Sequence, residues 1–286
     1  MKRLTAGSTV KDHSSGSVFT LRAVLGRGAA STVFRTDEGV ALKIVERSKT
    51  SPSDDLEAAR QEAALLMSMR DDATQANVVA LHSWFDDNDG RRVCLVFELF
   101  EHGSVAKRLR LNGALTERSA ASVVRQVLVA LDFLHARGVI HRDVKAANVL
   151  VDSDTGRCVL ADLGVAARAS ASSAVVAATP VGTAHWLAPE VITTQLAVAV
   201  SDIWSLGCMT VELFTTKPPY ALLDAMAAMF RVVHDETPPL PPHCSPVATA
   251  FLKRCFVRNV DQRPPAATLM TDAWLDNAER AALVHA

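Results

Sequence analysis

The apolar residues of this chain change period once, near residue 103. From Val18 to Phe100 they fall in short runs with strand-like composition, VFTLRAVLG, STVFRT, VALKIVE and RRVCLVFELF, each bounded by Gly, Asp or Asn. These runs predict an antiparallel sheet. One helical segment interrupts them. Ser51, Pro52 and Asp54 supply a cap, a first-turn proline and an acidic first turn, and Leu56, Ala59, Ala63, Leu66 and Met67 share one stripe. Beyond Gly103 the period is 3.6. Thr116 caps a helix whose apolar face is Val123, Val124, Val127, Leu128, Leu131 and Leu134, and Gly138 stops it. Further helices are expected over 202–215, 222–234, 246–256 and 266–273, separated by the pairs Pro218-Pro219, Pro238-Pro239 and Pro241-Pro242. Strands first and helices after predict an α+β chain of two lobes. The N-lobe (about 19–99) would be an antiparallel sheet plus one helix, the hinge would lie near 98–103, and the C-lobe (about 104–275) would be mainly helical.

Residues 1–18 are rich in Ser, Gly, Lys and Thr and read as a flexible lead-in, and 276–286 as a tail. The small-residue stretch 167–182 carries no cap or stripe and is expected to be a loop. Thirty Lys and Arg against thirty-one Asp and Glu leave a net charge of −1, which argues against a nucleic-acid partner held by phosphate neutralisation. Five scattered cysteines without a C-x-x-C pair suggest neither a disulfide framework nor a zinc cluster, and fit a reducing compartment. The N-terminus has no apolar leader, and no run approaches the roughly 18 uncharged apolar residues that span a bilayer. A cytoplasmic location without a membrane partner is the expectation.

Leu25-Gly26-Arg27-Gly28-Ala29-Ala30-Ser31-Thr32-Val33 joins two predicted strands, so it is neither a dinucleotide fingerprint nor a Walker loop. Glycines in such a turn let backbone N–H groups approach a polyphosphate that a Cβ would hold away. By themselves two glycines mean only a turn, and Lys43 at the end of VALK only an exposed strand edge. Further along come His141-Arg142-Asp143-Val144-Lys145-Ala146-Ala147-Asn148, Asp162-Leu163-Gly164, Ala188-Pro189-Glu190, SDIWSLG at 201–207, and Arg263. This ordered set resembles the protein kinase superfamily over nearly the whole chain after residue 18. The resemblance implies the bilobal protein-kinase fold, with ATP and Mg²⁺ as cofactors and protein serine or threonine hydroxyls as acceptors.

It also implies roles. Lys43 would hold the α- and β-phosphates, positioned by an acid on the first helix, Glu62 or alternatively Glu57. Asp143 would orient the acceptor hydroxyl, and Lys145 would shield charge on the γ-phosphate. Asp162 and Asn148 would be the metal ligands, hard oxygen donors suited to Mg²⁺. Leu25, Val33, Ala41 and Leu150 would wall the adenine, and the backbone of Glu98 and Phe100 would meet its edge, with Phe97 behind. Glu190 and Arg263 would form a buried ion pair, and Asp202 would brace the loop around Asp143. Lys145 fits the Ser/Thr pattern, and VGTAHWLAPE with SDIWSLGCMTVELFTTKPPY is similar to the STE group and its MAP kinase kinase kinase branch. Three positions depart from the family pattern. Ser31 stands where a third glycine is common, Leu163 replaces the Phe of D-F-G, and Ala30 replaces an aromatic cover at the loop tip. None removes a catalytic group. A pseudokinase scaffold is the alternative, although such chains typically lose groups equivalent to Lys43, Asp143 or Asp162. Thr179, four residues before Thr183, is the expected activating phosphosite, modified by an upstream kinase or by autophosphorylation, with Ser170, Ser172 and Ser173 as rivals.

Overall fold

The computed structural model describes residues 4–28, 30–47, 54–73, 76–87, 89–164, 166–168 and 181–276. The chain divides into two compact units after Glu101. Among the described residues the first holds six strands: β1 (Thr9–Lys11), β2 (Val18–Arg27), β3 (Ser31–Thr36), β4 (Val40–Glu46), β5 (Leu81–Asp86) and β6 (Arg92–Glu98). They form one antiparallel sheet in the order β1-β2-β3-β4-β6-β5. Helix α1 (Asp54–Met67) and the single turn α2 (Arg70–Ala73) lie between β4 and β5. Of the expected α1 stripe, Leu56, Ala59, Ala63 and Leu66 are buried and Met67 is partly covered. The cap expected at Ser51 and Pro52 lies outside the described residues.

Part of the expected lead-in is ordered. Thr9–Lys11 pairs with Val18–Thr20, and Val10 joins the core of Phe19, Leu21, Phe34, Leu42 and Phe85. Its polar companions make the intervening turn. Asp12 accepts hydrogen bonds from the Ser14 amide and hydroxyl and from the Ser15 hydroxyl. One apolar residue between two exposed neighbours is too short a pattern to register as a strand in the sequence.

The second unit holds α3 (Val105–Asn112), α4 (Glu117–Ala136), α5 (Pro189–Thr194), α6 (Ala199–Thr215), α7 (Ala225–His234), α8 (Pro246–Cys255) and α9 (Ala266–Leu269). It also carries short ladders, β7 (Val139–Ile140) with β10 (Ala167–Arg168) and β8 (Val149–Asp152) with β9 (Arg157–Leu160). Thr116 caps α4, its side chain accepting from the Ser119 amide. By length and composition α4 could cross a bilayer, yet most of it is packed inside this unit. α6 is buried all round from Ser201 to Leu213, as expected of a central core helix. A Cβ at Gly207 would meet Cys255 Cβ and the Phe256 ring at 2.8 Å, so only glycine lets α6 lie this close to the end of α8.

Helix ends differ from expectation where side chains cap them. Asp224 Oδ1 accepts from the Ala227 amide and starts α7 at residue 225, not 222. Asp272 accepts from Trp274, ending the 266–273 pattern after one turn and restarting it as a 3-10 turn at Ala273–Leu275. α3 was not expected, although Ser104 and Gly113 cap it at its two ends.

Candidate active site

In the first unit, β4 alternates its side chains across the sheet. Leu42 and Ile44 enter the core, whereas Lys43 faces α1. Its Nζ donates to both carboxylate oxygens of Glu62 at 2.9 Å, and the Glu62 side chain is only 3 % exposed. Glu57 points to solvent instead, beside Arg60 and Gln61. The pairing therefore singles out Glu62.

The glycine turn links β2 to β3, with Gly26 opposite Val33 and Arg27 opposite Thr32. The Gly28 amide donates to the Ser31 carbonyl at 2.8 Å and closes it, and a Cβ on Gly28 would crowd the Ser31 hydroxyl. Ala29 lies outside the described residues; Ala30, Ser31 and Thr32 are partly covered. Val33 sits across from Lys43, Ala41 across from Phe97, and Val40 across from Glu98. Ala41, Phe97 and Phe100 are buried, whereas Leu25 is 45 % exposed.

In the second unit, the loop after β7 carries the groups with acid–base chemistry. Asp202, 1 % exposed, accepts hydrogen bonds from the backbone N–H groups of His141 and Arg142, and its Oδ2 lies 2.8 Å from the His135 ring. These bonds hold Arg142 at φ 68°, a conformation costing about 1–3 kcal/mol in a non-glycine residue. His141 accepts from the Asp143 amide at Nδ1, which puts its ring proton on Nε2, facing the Ala161 carbonyl at 3.2 Å. Lys145 Nζ donates to both oxygens of Asp143 at 2.9 and 2.7 Å, and Asn148 Nδ2 donates to its Oδ2 at 2.8 Å. The carboxylate is thus aimed by two residues of its own loop.

Asn148 and Asp162 flank the β8–β9 hairpin. Val149 pairs with Leu160, and the Ala161 amide donates to the Asn148 carbonyl at 2.8 Å. Asn148 spends its amide nitrogen on Asp143, which leaves its oxygen as the donor atom, and Asp162 is exposed at φ 66°. Oxygen donors held from the two ends of one short hairpin suit a hard divalent cation. Leu150 is partly covered and Leu163 is buried.

Arg263, with its side chain fully buried, donates to Glu190 at 2.7 and 3.0 Å and to the carbonyls of Val200 and Val257. Burial alone would raise the Glu190 pKa, but the Arg263 guanidinium and the Ser201 hydroxyl outweigh it and hold the carboxyl below its ordinary value. Sequence reasoning missed Glu212. Its Oε2 accepts from the Ala146 amide at 3.1 Å and the Trp186 indole at 3.2 Å, tying the Asp143 loop to the segment before Ala188-Pro189-Glu190. Burial pushes its pKa up. The available signal was a lone acid inside the apolar run GCMTVELF. Thr179, Ser170, Ser172 and Ser173 lie outside the described residues.

The protein kinase domain family matches residues 19–275. The chain is 36 % identical to MAP3K epsilon protein kinase 1 of Arabidopsis thaliana, covering 98 % of this chain and 20 % of that protein. It is 38 % identical to cell division control protein 7 of Schizosaccharomyces pombe, covering 91 % of this chain and 24 % of that protein. With a probable serine/threonine-protein kinase of Dictyostelium discoideum it shares 36 % identity over 88 % of this chain and 39 % of the relative. The chain thus spans about a fifth to two fifths of the length of these relatives. Since the family match spans residues 19–275, a range that holds Lys43, Glu62 and the Asp143 loop, and relatives 36 and 38 % identical cover 98 and 91 % of the chain, this chain belongs to the protein kinase family.

Proposed function

We propose that this chain transfers the γ-phosphoryl group of ATP to serine and threonine hydroxyls of proteins, as a MAP3K-like signalling kinase. The observation that carries the reading is the Asp143 carboxylate, aimed by Lys145 and Asn148 in a loop braced by Asp202. Phosphoryl transfer asks for positioning and charge neutralisation more than for covalent chemistry. Asp143 takes the proton of the acceptor hydroxyl. Lys145 and Lys43 supply positive charge for the phosphates, and Glu62 holds Lys43 in place. Asn148 and Asp162 would hold Mg²⁺, which supplies the remaining charge neutralisation when bound. Nothing favours the scaffold alternative, because Lys43, Asp143, Asn148 and Asp162 are all present. Five free cysteines support a reducing, cytoplasmic setting.

The test is transfer of radiolabel from ATP to a generic protein substrate and to a peptide array. Wild-type label on serine and threonine and none from Asp143→Asn is expected. Equal labelling by the two would refute the assignment.

Activation through Thr179 belongs to the same reading. Arg142 Nε is buried and has no hydrogen-bond partner among the described residues, and burial lowers the Arg142 pKa against the pull of Asp202. A phosphate brings about 1.5 to 2 negative charges and three acceptors, enough for charge-assisted bonds to such a cation. Phosphate mapping by mass spectrometry alongside Thr179→Ala decides it. Full activity of that variant, with no phosphate at Thr179, would end the idea.

A further inference from the structure

Helix α3 breaks the charge rules of helix ends. Its Ser104 cap accepts from the Lys107 amide, so Lys107 occupies the third helical position. That position favours Glu or Gln, whose side chain returns to the cap and whose acidic form suits the positive end of the helix dipole. α3 has a lysine there instead, and no acidic residue in its first turn. Arg108 and Arg110 follow, so its eight residues VAKRLRLN carry three cations and no anion. Lys107 and Arg110 are exposed and three residues apart, neighbours on one face where like charges repel. The Lys107 chain folds back over the turn before the helix, for a Cβ on Gly103 would stand 3.2 Å from its Cδ and 3.6 Å from its Nζ.

Nothing within the second unit neutralises this charge. Lys107, Arg108 and Arg110 have no acidic partner among the described residues, and the Arg108 Nε is buried without an acceptor. The acids close to them in the chain and in the hairpin are engaged elsewhere. Glu101 pairs with Arg35 at 2.8 Å, and Asp152 accepts from the Asp154 amide and the Thr155 hydroxyl. A short helix that gives up its favourable first-turn acid and gains no internal ion pair in return has kept its cations for something outside the chain.

Position and sign together indicate the occupant. α3 packs on the turn Ala146–Asn148 and on β8, and Ser104 bridges to Leu150. Asn148 of that turn donates to Asp143 Oδ2 at 2.8 Å. One turn of chain thus lies between the cationic helix and the carboxylate assigned to the acceptor hydroxyl. An extended peptide advances about 3.3 Å per residue, and a helix of this length spans about 12 Å, so residues a few places from a hydroxyl held at Asp143 come within reach of α3. We propose that the α3 cations select acceptor peptides carrying Asp or Glu within about five residues of the phosphorylated hydroxyl. The proposal rests on the Ser/Thr kinase reading and names the substrate class of that site. Asp143 acts on the hydroxyl, and Lys107 and Arg110, with Arg108 beside them, read the acidic flank.

The test is a positional peptide library with a central serine, labelled by wild type, by Lys107→Ala/Arg110→Ala and by Lys107→Glu/Arg110→Glu. Both side chains are exposed, and Lys107→Glu completes a capping box, so a melting temperature equal to or above that of wild type checks the fold. Wild type is expected to label acid-flanked peptides with kcat/KM about tenfold above alanine-flanked ones, through KM and not kcat, the margin shrinking as ionic strength rises. The alanine variant should lose that margin. The glutamate variant should invert it toward Lys and Arg at the same positions, a reversal that a purely structural role for α3 could not produce. All three proteins should label the neutral peptides with equal kcat. Absence of an acidic preference in wild type would overturn the proposal. So would a preference that survives the glutamate variant, which would assign it to another cation such as Lys145, or an equal loss of kcat on every peptide. Binding to phosphatidylserine vesicles that the variants lose, with peptide selection unchanged, would assign the patch to an anionic membrane and overturn it as well. Failure of wild type to label any peptide, neutral or acidic, would refute the kinase reading itself.

Discussion

The ion pair between Glu190 and Arg263 offers a sharp test of how the second unit is held together. Glu190→Gln keeps the side-chain shape and removes the charge. Arg263 then remains a fully buried cation facing the carbonyls of Val200 and Val257, with one amide oxygen where two carboxylate oxygens had accepted at 2.7 and 3.0 Å. The new amide N–H₂ also faces a donor. Breaking a buried pair by removing one partner costs about 3–5 kcal/mol. For a unit of this size each kcal/mol lowers Tm by about 2–4 °C, so a fall of roughly 6–20 °C is expected. The assay is urea unfolding followed by tryptophan fluorescence, with Trp204 lying beside Arg263 as a local reporter. The pH dependence supplies an independent check. Glu190 has a folded pKa below its ordinary 4.5, so its contribution is present above that value and is lost as pH falls through the folded pKa. The acid-side loss of stability should be shallower in Glu190→Gln. Replacing both partners, as in Glu190→Gln/Arg263→Met, should recover part of the loss. A single-variant cost below about 1 kcal/mol, with an unchanged acid-side slope, would refute the reasoning.

Two further outcomes follow from carboxylates with little solvent. Lys43→Met should abolish transfer and also lower the stability of the first unit, because the buried Glu62 carboxylate would lose its Lys43 ion pair; Lys43→Met/Glu62→Gln should regain part of the stability but not the transfer. A thermal melt of Lys43→Met equal to wild type would contradict this. Glu212 has a folded pKa raised above 4.5, so the stability it confers is full below that value and declines as pH rises through the folded pKa. Glu212→Gln keeps an oxygen for Ala146 and Trp186 and should be the more stable protein at pH 8 in urea titrations, and a less stable variant there would show that the charge is well paired.

Much of the architecture was legible because it is written in local periods. The β4 run VALKIVE is a short, β-branched apolar segment, the α4 face from Val123 to Leu134 repeats at helical spacing, and both elements form where those patterns put them. The motif residues around Asp143 were likewise readable, being close together in sequence. Elements with too few residues to show a period were not: β1, the short β7–β10 ladder and α5 exist because they pair with or pack on something distant. The resemblance favoured Glu62 over Glu57, but the physical reason for that choice is tertiary. Both acids sit on the same helix, and only the approach of α1 to β4 decides which one meets Lys43. Glu212 shows the limit most plainly. The sequence places an acid in an apolar helix, but its partners come from Ala146 and Trp186, 66 and 26 residues away. Periodicity and motif spacing are properties of neighbouring residues, and the sequence by itself determines them. Which buried charge finds which donor depends on elements that meet only when the core closes, and that was decided by the tertiary structure.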